Sequence, residues 1–307
     1  MPQILSVSRR TDIPAFYTEW FINRLKAGSV YVQQPYTRKL FRVSLQPEDV
    51  SAIVFWSKNY APLLNMLDRI EQTTKNLFFH FTITANQELE LHTPDYKDAV
   101  RDYIFLSQRY SAEQLAWRFD PICLTDKLLF EAYEERFVQC AEQLKGHTRS
   151  CIISFAHPYK KANANLQKYA QQAMLELSEE KKKGYALRLA ARAEQYGIRL
   201  FACCNDYLLS EKILKARCID GHALSALFKT PFDTRTASSR KECDCTKSTD
   251  LGAYDTCAHG CCYCYANADT NKAIAARKQH NPEWNALMMQ VDERISAQEE
   301  KQASLQF

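Results

Sequence analysis

Ala52-Ile-Val-Phe-Trp-Ser-Lys-Asn59 passes from a continuous apolar run to a polar set. An unbroken apolar run of this length suits a strand covered on both faces, as in a parallel sheet, and the polar residues then mark its C-terminal end. The same pattern recurs at Ile4 to Ser8, Leu77 to Thr84, Leu115 to Phe119, Cys151 to Phe155 and Ile198 to Cys203. An additional pair, Val30 to Gln33 and Leu40 to Ser44 around Pro35, reads as a hairpin insertion.

Between these runs, apolar residues recur at three- and four-residue intervals over Phe16 to Lys26, Ala61 to Gln72, Tyr96 to Tyr110, Lys127 to Lys145 and Leu187 to Tyr196, the spacing of helices. Gly28, Gly146 and Gly197 each fall between a helix and the next strand, where a left-handed cap requires glycine. The charge run Glu179 to Lys183 reads as a solvated helix face. Strands alternating with helices define an α/β protein.

The polar strand ends choose between an open doubly wound sheet and a barrel. They are Arg9, Arg10 and Asp12; Ser57, Lys58 and Asn59; Thr82 and Thr84; Arg118 and Asp120; Ser154 and His157; and Asn205. A barrel brings such sets to one mouth, whereas an open sheet spreads them along an edge. The expectation is a (β/α)6-type partial TIM-like barrel over residues 1–228, a cysteine-rich segment over 229–270 closing its mouth, and a helical tail over 271–307. Asp12 before Pro14 and Asp120 before Pro121 also fit helix capping or turns.

Composition narrows the function. Lys plus Arg total 40 against 36 Asp plus Glu, a net charge of +4, too even for binding nucleic acid or a membrane surface by bulk charge. Only 7 glycines occur, and neither G-x-G-x-x-G nor G-x-x-x-x-G-K-[ST] is present, which removes the signatures of Rossmann and P-loop sites. No long apolar run spans a bilayer, and the first residues are too brief for a signal peptide. A cytoplasmic location is expected, where 12 cysteines point to metal or redox chemistry in place of disulfides.

Six of those cysteines lie at 243, 245, 257, 261, 262 and 264, beyond the point where the strand–helix rhythm stops. Cys257, Cys261 and Cys264 form C-x3-C-x2-C, able to ligate three irons of a [4Fe-4S] cube and leave the fourth open. Zinc is the alternative, with Cys261 and Cys264 joined by two of Cys243, Cys245, Cys257 and His259. The motif, with aromatic Tyr263 before its last cysteine, resembles that of the radical S-adenosylmethionine (SAM) superfamily. The resemblance implies that Cys257, Cys261 and Cys264 are cluster ligands, that SAM occupies the open iron, that Tyr263 lies beside its adenine, and that a reductase or flavodoxin-type protein donates the electron.

Two features depart from that superfamily: its cysteine loop usually follows the first strand rather than the sixth, and no Gly-Gly-Glu stands at a strand end to hold the SAM amino group. The whole chain resembles a bacterial family, domain of unknown function family 1848. The resemblance rests on Ser6-Val-Ser-Arg-Arg-Thr-Asp-Ile-Pro-Ala-Phe-Tyr17, Phe55-Trp-Ser-Lys-Asn59, Arg118-Phe-Asp-Pro121, Cys218-Ile-Asp220, Cys243-Asp-Cys245 and Leu251-Gly-Ala-Tyr-Asp-Thr-Cys257.

Cys203, Cys218, Cys243 and Cys245 suffice for a second, auxiliary cluster or for zinc, with Cys204 a substitute for one of them. Cys123, Cys140 and Cys151 read as core residues and Cys262 as a spectator thiol. The leading expectation is an enzyme that cleaves SAM reductively to modify a small-molecule or nucleotide-like substrate, by hydrogen abstraction or by 3-amino-3-carboxypropyl transfer. Arg9, Arg10 and Lys58 suit a carboxylate, and Asp12, Arg118 and Asp120 complete the candidate catalytic set. The other expectation is a zinc or iron-sulfur protein that acts on nucleic acid or a protein partner without SAM chemistry. An electron-transfer or redox-sensing role, with Cys204 or Cys262 as the handle, is a third.

Overall fold

The computed structural model describes residues 2–237 and 240–292, so expectations for residues 293–307 of the tail lie outside the described residues. In chain order the strands are β1 (Gln3–Val7), β2 (Ser29–Gln33), β3 (Leu40–Ser44), β4 (Val50–Ser57), β5 (Leu77–Thr82), β6 (Leu115–Arg118), β7 (Ser150–Ile153), β8 (Arg199–Ala202), β9 (Ile213–Lys215) and β10 (Thr249–Asp250). All six expected strands and the hairpin, β2 with β3, are present. The helices Thr18–Ala27, Tyr96–Arg109 and Phe130–Gln143 fall where the periodicity puts them, Glu179–Gln195 begins before the expected Leu187, and the expected helix Ala61 to Gln72 is two single turns, Ala61–Leu64 and Leu67–Ile70. Gly28, Gly146 and Gly197 are left-handed, with φ of 67°, 82° and 72°.

Eight strands form one parallel sheet in the order β10-β1-β4-β5-β6-β7-β8-β9. The sheet is not closed, since β10 and β9 are its edges. It has two strands more than the six expected. Ile213–Lys215 is very short, and Thr249–Asp250 carries no apolar side chain, so neither shows a strand pattern in sequence. From β1 to β9 the order follows the sequence with only the hairpin set aside. There is therefore no switch point, and every strand brings its C-terminal end to the same rim.

The two faces of the sheet are covered differently. Leu5, Val7, Ile53, Phe55, Phe79, Phe81, Trp117 and Ile153 pack against the helices, where Trp20, Tyr103, Phe137 and Leu189 are fully or almost fully buried. Alternate residues Ile4, Ala52, Val54, Ala116 and Ile152 form the opposite face, covered by Cys218, Ile219, Leu224, Phe232, Cys243 and Cys245. The cysteine-bearing segment is thus the second apolar layer of the sheet. Cys123, Cys140 and Cys151 are buried on the helix side, as expected of core residues, and burial pushes the thiols of Cys123 and Cys140 up to about 12. Among the described residues no helix is long and apolar enough to cross a membrane.

Candidate functional site

At the rim, a cavity of about 260 Å³ is lined by groups from every expected strand-end set: Arg9, Arg10 and Asp12; Ser57 and Lys58; Thr82; Arg118 and Asp120; Ser154 and His157; and Asn205. Asn59 and Thr84 do not reach it. Cys257, Cys261, Cys264 and Tyr263 line the same space, as do Cys203, Cys204, Cys218, Cys243 and Cys245.

Asp12 joins the start of the chain to the cysteine loop. One carboxylate oxygen caps the helix Ile13–Phe16 through the N–H of Ala15 (2.9 Å) and accepts from Ser57 Oγ (2.7 Å). The other accepts from the N–H of Lys58 (2.8 Å) and from His259 Nε2 (2.7 Å). Asp12 is therefore a cap, as its place before Pro14 suggests, and also the anchor of His259, two residues after Cys257.

Arg9 and Arg10 bracket Asp250. Arg10 donates from Nε to the carboxylate (3.0 Å) and from a terminal nitrogen to the Asp250 carbonyl (2.8 Å), while Arg9 Nε stands 3.8 Å from the carboxylate. Ser6, Ser8 and the N–H groups of Arg9 and Gly252 also donate to Asp250. Although burial alone would raise its pKa, the arginines and these donors hold its carboxyl below the ordinary value.

Lys58 Nζ pairs with Glu90 (2.9 Å), which also accepts from Thr84 and from the Tyr263 hydroxyl. Burial works against the Lys58 ammonium, but Glu90 and Cys261 outweigh it and hold its pKa above the ordinary lysine value. Tyr263 is tied down by its hydroxyl and places its ring 6.0 Å from Lys58 Nζ. Arg118 makes a two-pronged pair with Asp120 (2.9 and 2.6 Å) and donates to Cys218 Sγ (3.1 Å). Ser154 completes the shell of Asp120 at 3.3 Å.

The sulfur of Cys264 accepts from the backbone N–H of Ala266 (3.3 Å), and the backbone of His259 and of Asp12 beside Cys257 favours its thiolate. Burial pushes all three thiols of the C-x3-C-x2-C loop above the usual cysteine value; Lys58 opposes the shift at Cys261. A bound cation reverses this preference, because coordination deprotonates a thiol. Backbone N–H groups aimed at sulfur suit ligand thiolates, whose potential they tune. Among the described residues, no three or more His, Cys, Asp or Glu side chains already surround a common metal position. Cys262 turns away into the main core, and burial pushes its thiol up to about 11.

Sequence reasoning missed Glu90, His259 as the partner of Asp12, Asp250, Arg240, and Tyr265, which lines the cavity and donates to the Arg9 carbonyl. The Arg9-Arg10 doublet was a signal for a buried carboxylate, because two adjacent guanidiniums inside a protein need an acidic partner. Glu90 lies in an irregular stretch and carries no pattern.

Fold and site together define an open parallel α/β protein whose strand ends converge on a cavity walled by thiols. Residues 4–266 match the model of the family described as "Domain of unknown function (DUF1848)", and the chain belongs to that family. No curated protein and no solved structure matches it.

Proposed function

We propose that the protein is an iron-sulfur enzyme of the radical SAM type, its open sheet serving as a partial barrel and Cys257, Cys261 and Cys264 holding a [4Fe-4S] cluster at the mouth. The observation that carries this reading is the meeting of Cys257, Cys261 and Cys264, the last with a backbone N–H aimed at its sulfur, with all six strand ends around one cavity. When bound and reduced, such a cluster supplies the electron that cleaves a sulfonium bond of SAM.

In this reading the chain's own groups orient SAM and exclude water. Arg9 is held by Asp250 less closely than Arg10 is, and it retains donors for a carboxylate at the cavity. Lys58 and Glu90 fix the wall beside Cys261, and Asp12 fixes the loop through His259. Tyr263 contributes its ring to the wall while its hydroxyl stays on Glu90. A reductase or flavodoxin-type protein would deliver the electron.

The test is anaerobic reconstitution, a visible and EPR spectrum, and incubation with a strong reductant and SAM. The expected outcome is an iron-sulfur protein that consumes SAM. 5′-Deoxyadenosine as product assigns hydrogen abstraction, and methylthioadenosine assigns transfer of the aminocarboxypropyl group. Replacing Cys261 by Ala should lower SAM consumption at least about 100-fold, since three protein ligands hold the cluster. A reconstituted iron-sulfur protein that leaves SAM intact with electron donors present would overturn the reading.

A further inference from the structure

The cavity that the C-x3-C-x2-C loop lines is lined also by a second set of sulfurs. Cys203 Sγ is 3.4 Å from Cys218 Sγ and 3.9 Å from Cys204 Sγ. Cys243 and Cys245 are buried in the same cluster as Cys203 and Cys218, with Cys204 packed against it, so five thiols gather in one ring-like group. They come from three separate parts of the chain: the end of β8, the stretch after β9, and the region before β10. Two arginines aim donors at this ring. Arg118 reaches Cys218 (3.1 Å), and Arg240 reaches Cys204 (3.2 Å) and Cys203 (3.8 Å).

We propose that this ring is a second metal centre, separate from the C-x3-C-x2-C loop, with Cys203, Cys218, Cys243 and Cys245 as thiolate ligands and Cys204 as a fifth thiol on the cavity side. Four considerations support it. Five cysteines from three parts of the chain gather in and against one buried cluster, and a soft metal takes such sulfurs as ligands. A tetrathiolate centre carries net negative charge, and guanidiniums donating to sulfur compensate it. Cys204, at φ of 50°, occupies the left-handed region that residues other than glycine rarely adopt, so the chain accepts strain beside the ring. Finally, the described residues between Phe228 and Thr249 hold no helix or strand, yet Cys243 and Cys245 are buried against the sheet. A metal crosslink explains how so long an irregular stretch is held there.

The shared chemistry is thiolate ligation of a soft metal, from either a zinc ion or an iron-sulfur cube. Ligands at about 2.3 Å around tetrahedral zinc stand about 3.8 Å apart, near the 3.4 Å between Cys203 and Cys218, whereas a cube requires the sulfurs to spread. The site does not depend on SAM chemistry. Its test is the metal content of the full chain carrying Cys257→Ala, Cys261→Ala and Cys264→Ala together, purified without oxygen, assayed directly and again after reconstitution with iron and sulfide, with circular dichroism to verify folding. About one zinc per chain, or about four iron with four sulfide, supports the proposal and tells the two sources apart. Adding Cys218→Ser should remove at least about nine-tenths of that metal. A folded triple variant that binds neither overturns the proposal.

The wild-type chain provides a check that does not need the variants. Its thiols, counted by a maleimide before and after a strong chelator, should rise on chelation by more than the three of the C-x3-C-x2-C loop. A rise of three or fewer overturns the second centre even where SAM is cleaved.

Discussion

Asp250 is the residue on which the start of the chain closes against its C-terminal third. Five groups besides Arg9 Nε donate to its carboxylate, so Asp250→Asn removes the charge that two part-buried guanidiniums face. Loss of one partner from such a set costs about 2–4 kcal/mol, readable as a shift in a urea unfolding midpoint. The pH dependence has a definite sign. Because the folded-state pKa lies below the ordinary 3.8, the contribution is complete above 3.8 and disappears as pH falls through the lower folded-state value. Unfolding at pH 7 and pH 3 should therefore differ more in the wild type than in Asp250→Asn. Asp12→Ala makes a different test, since it frees His259 and the N–H of Lys58 together. It should lower stability by about 2–4 kcal/mol and, for the cluster proposed above, weaken iron retention by the C-x3-C-x2-C loop, whereas Asp12→Asn, which keeps acceptor oxygen, should do less on both measures.

At the scale of elements, β10 is held by a few close contacts. It pairs with β1 through Leu5 with Thr249 and Ser6 with Asp250, and the turn that follows brings Gly252 against Ser8. A Cβ at Gly252 would stand 2.0 Å from Ser8 Oγ, which is already engaged by Asp250 at 2.7 Å. Gly252→Ala should destabilise by about 1–3 kcal/mol, measured as a lower Tm, because neither the hydroxyl nor the turn can withdraw without breaking a buried bond. The six longer strands are legible because each is built mostly of apolar residues. The short strands β9 and β10 join the sheet through backbone pairing at its edges, and backbone hydrogen bonding leaves no mark on side-chain pattern.

On the scale of the molecule, the sheet has one face covered by helices and the other by the segment that carries the cysteines. A chain ending at residue 228 would expose Ile4, Ala52, Val54, Ala116 and Ile152 where Phe232, Cys243 and Cys245 now cover them. It should bind a hydrophobic dye and aggregate on expression, and a soluble, cooperatively unfolding fragment would show that the cysteine segment is dispensable for the fold. Sequence alone determined the alternation of strands and helices, the polar set at each strand end and the spacing of Cys257, Cys261 and Cys264, because all three are local and written in side-chain order. Tertiary structure alone decided that the strand ends meet at one rim of an open sheet, that Asp12 binds His259 and Arg10 binds Asp250, and that five thiols from three regions gather in one ring-like group. Those partners are about 15 to 250 residues apart in the chain. Which of the many available carboxylates or thiols meets which is set by strand order and by the burial of the second face, and neither is encoded in the neighbours of a residue.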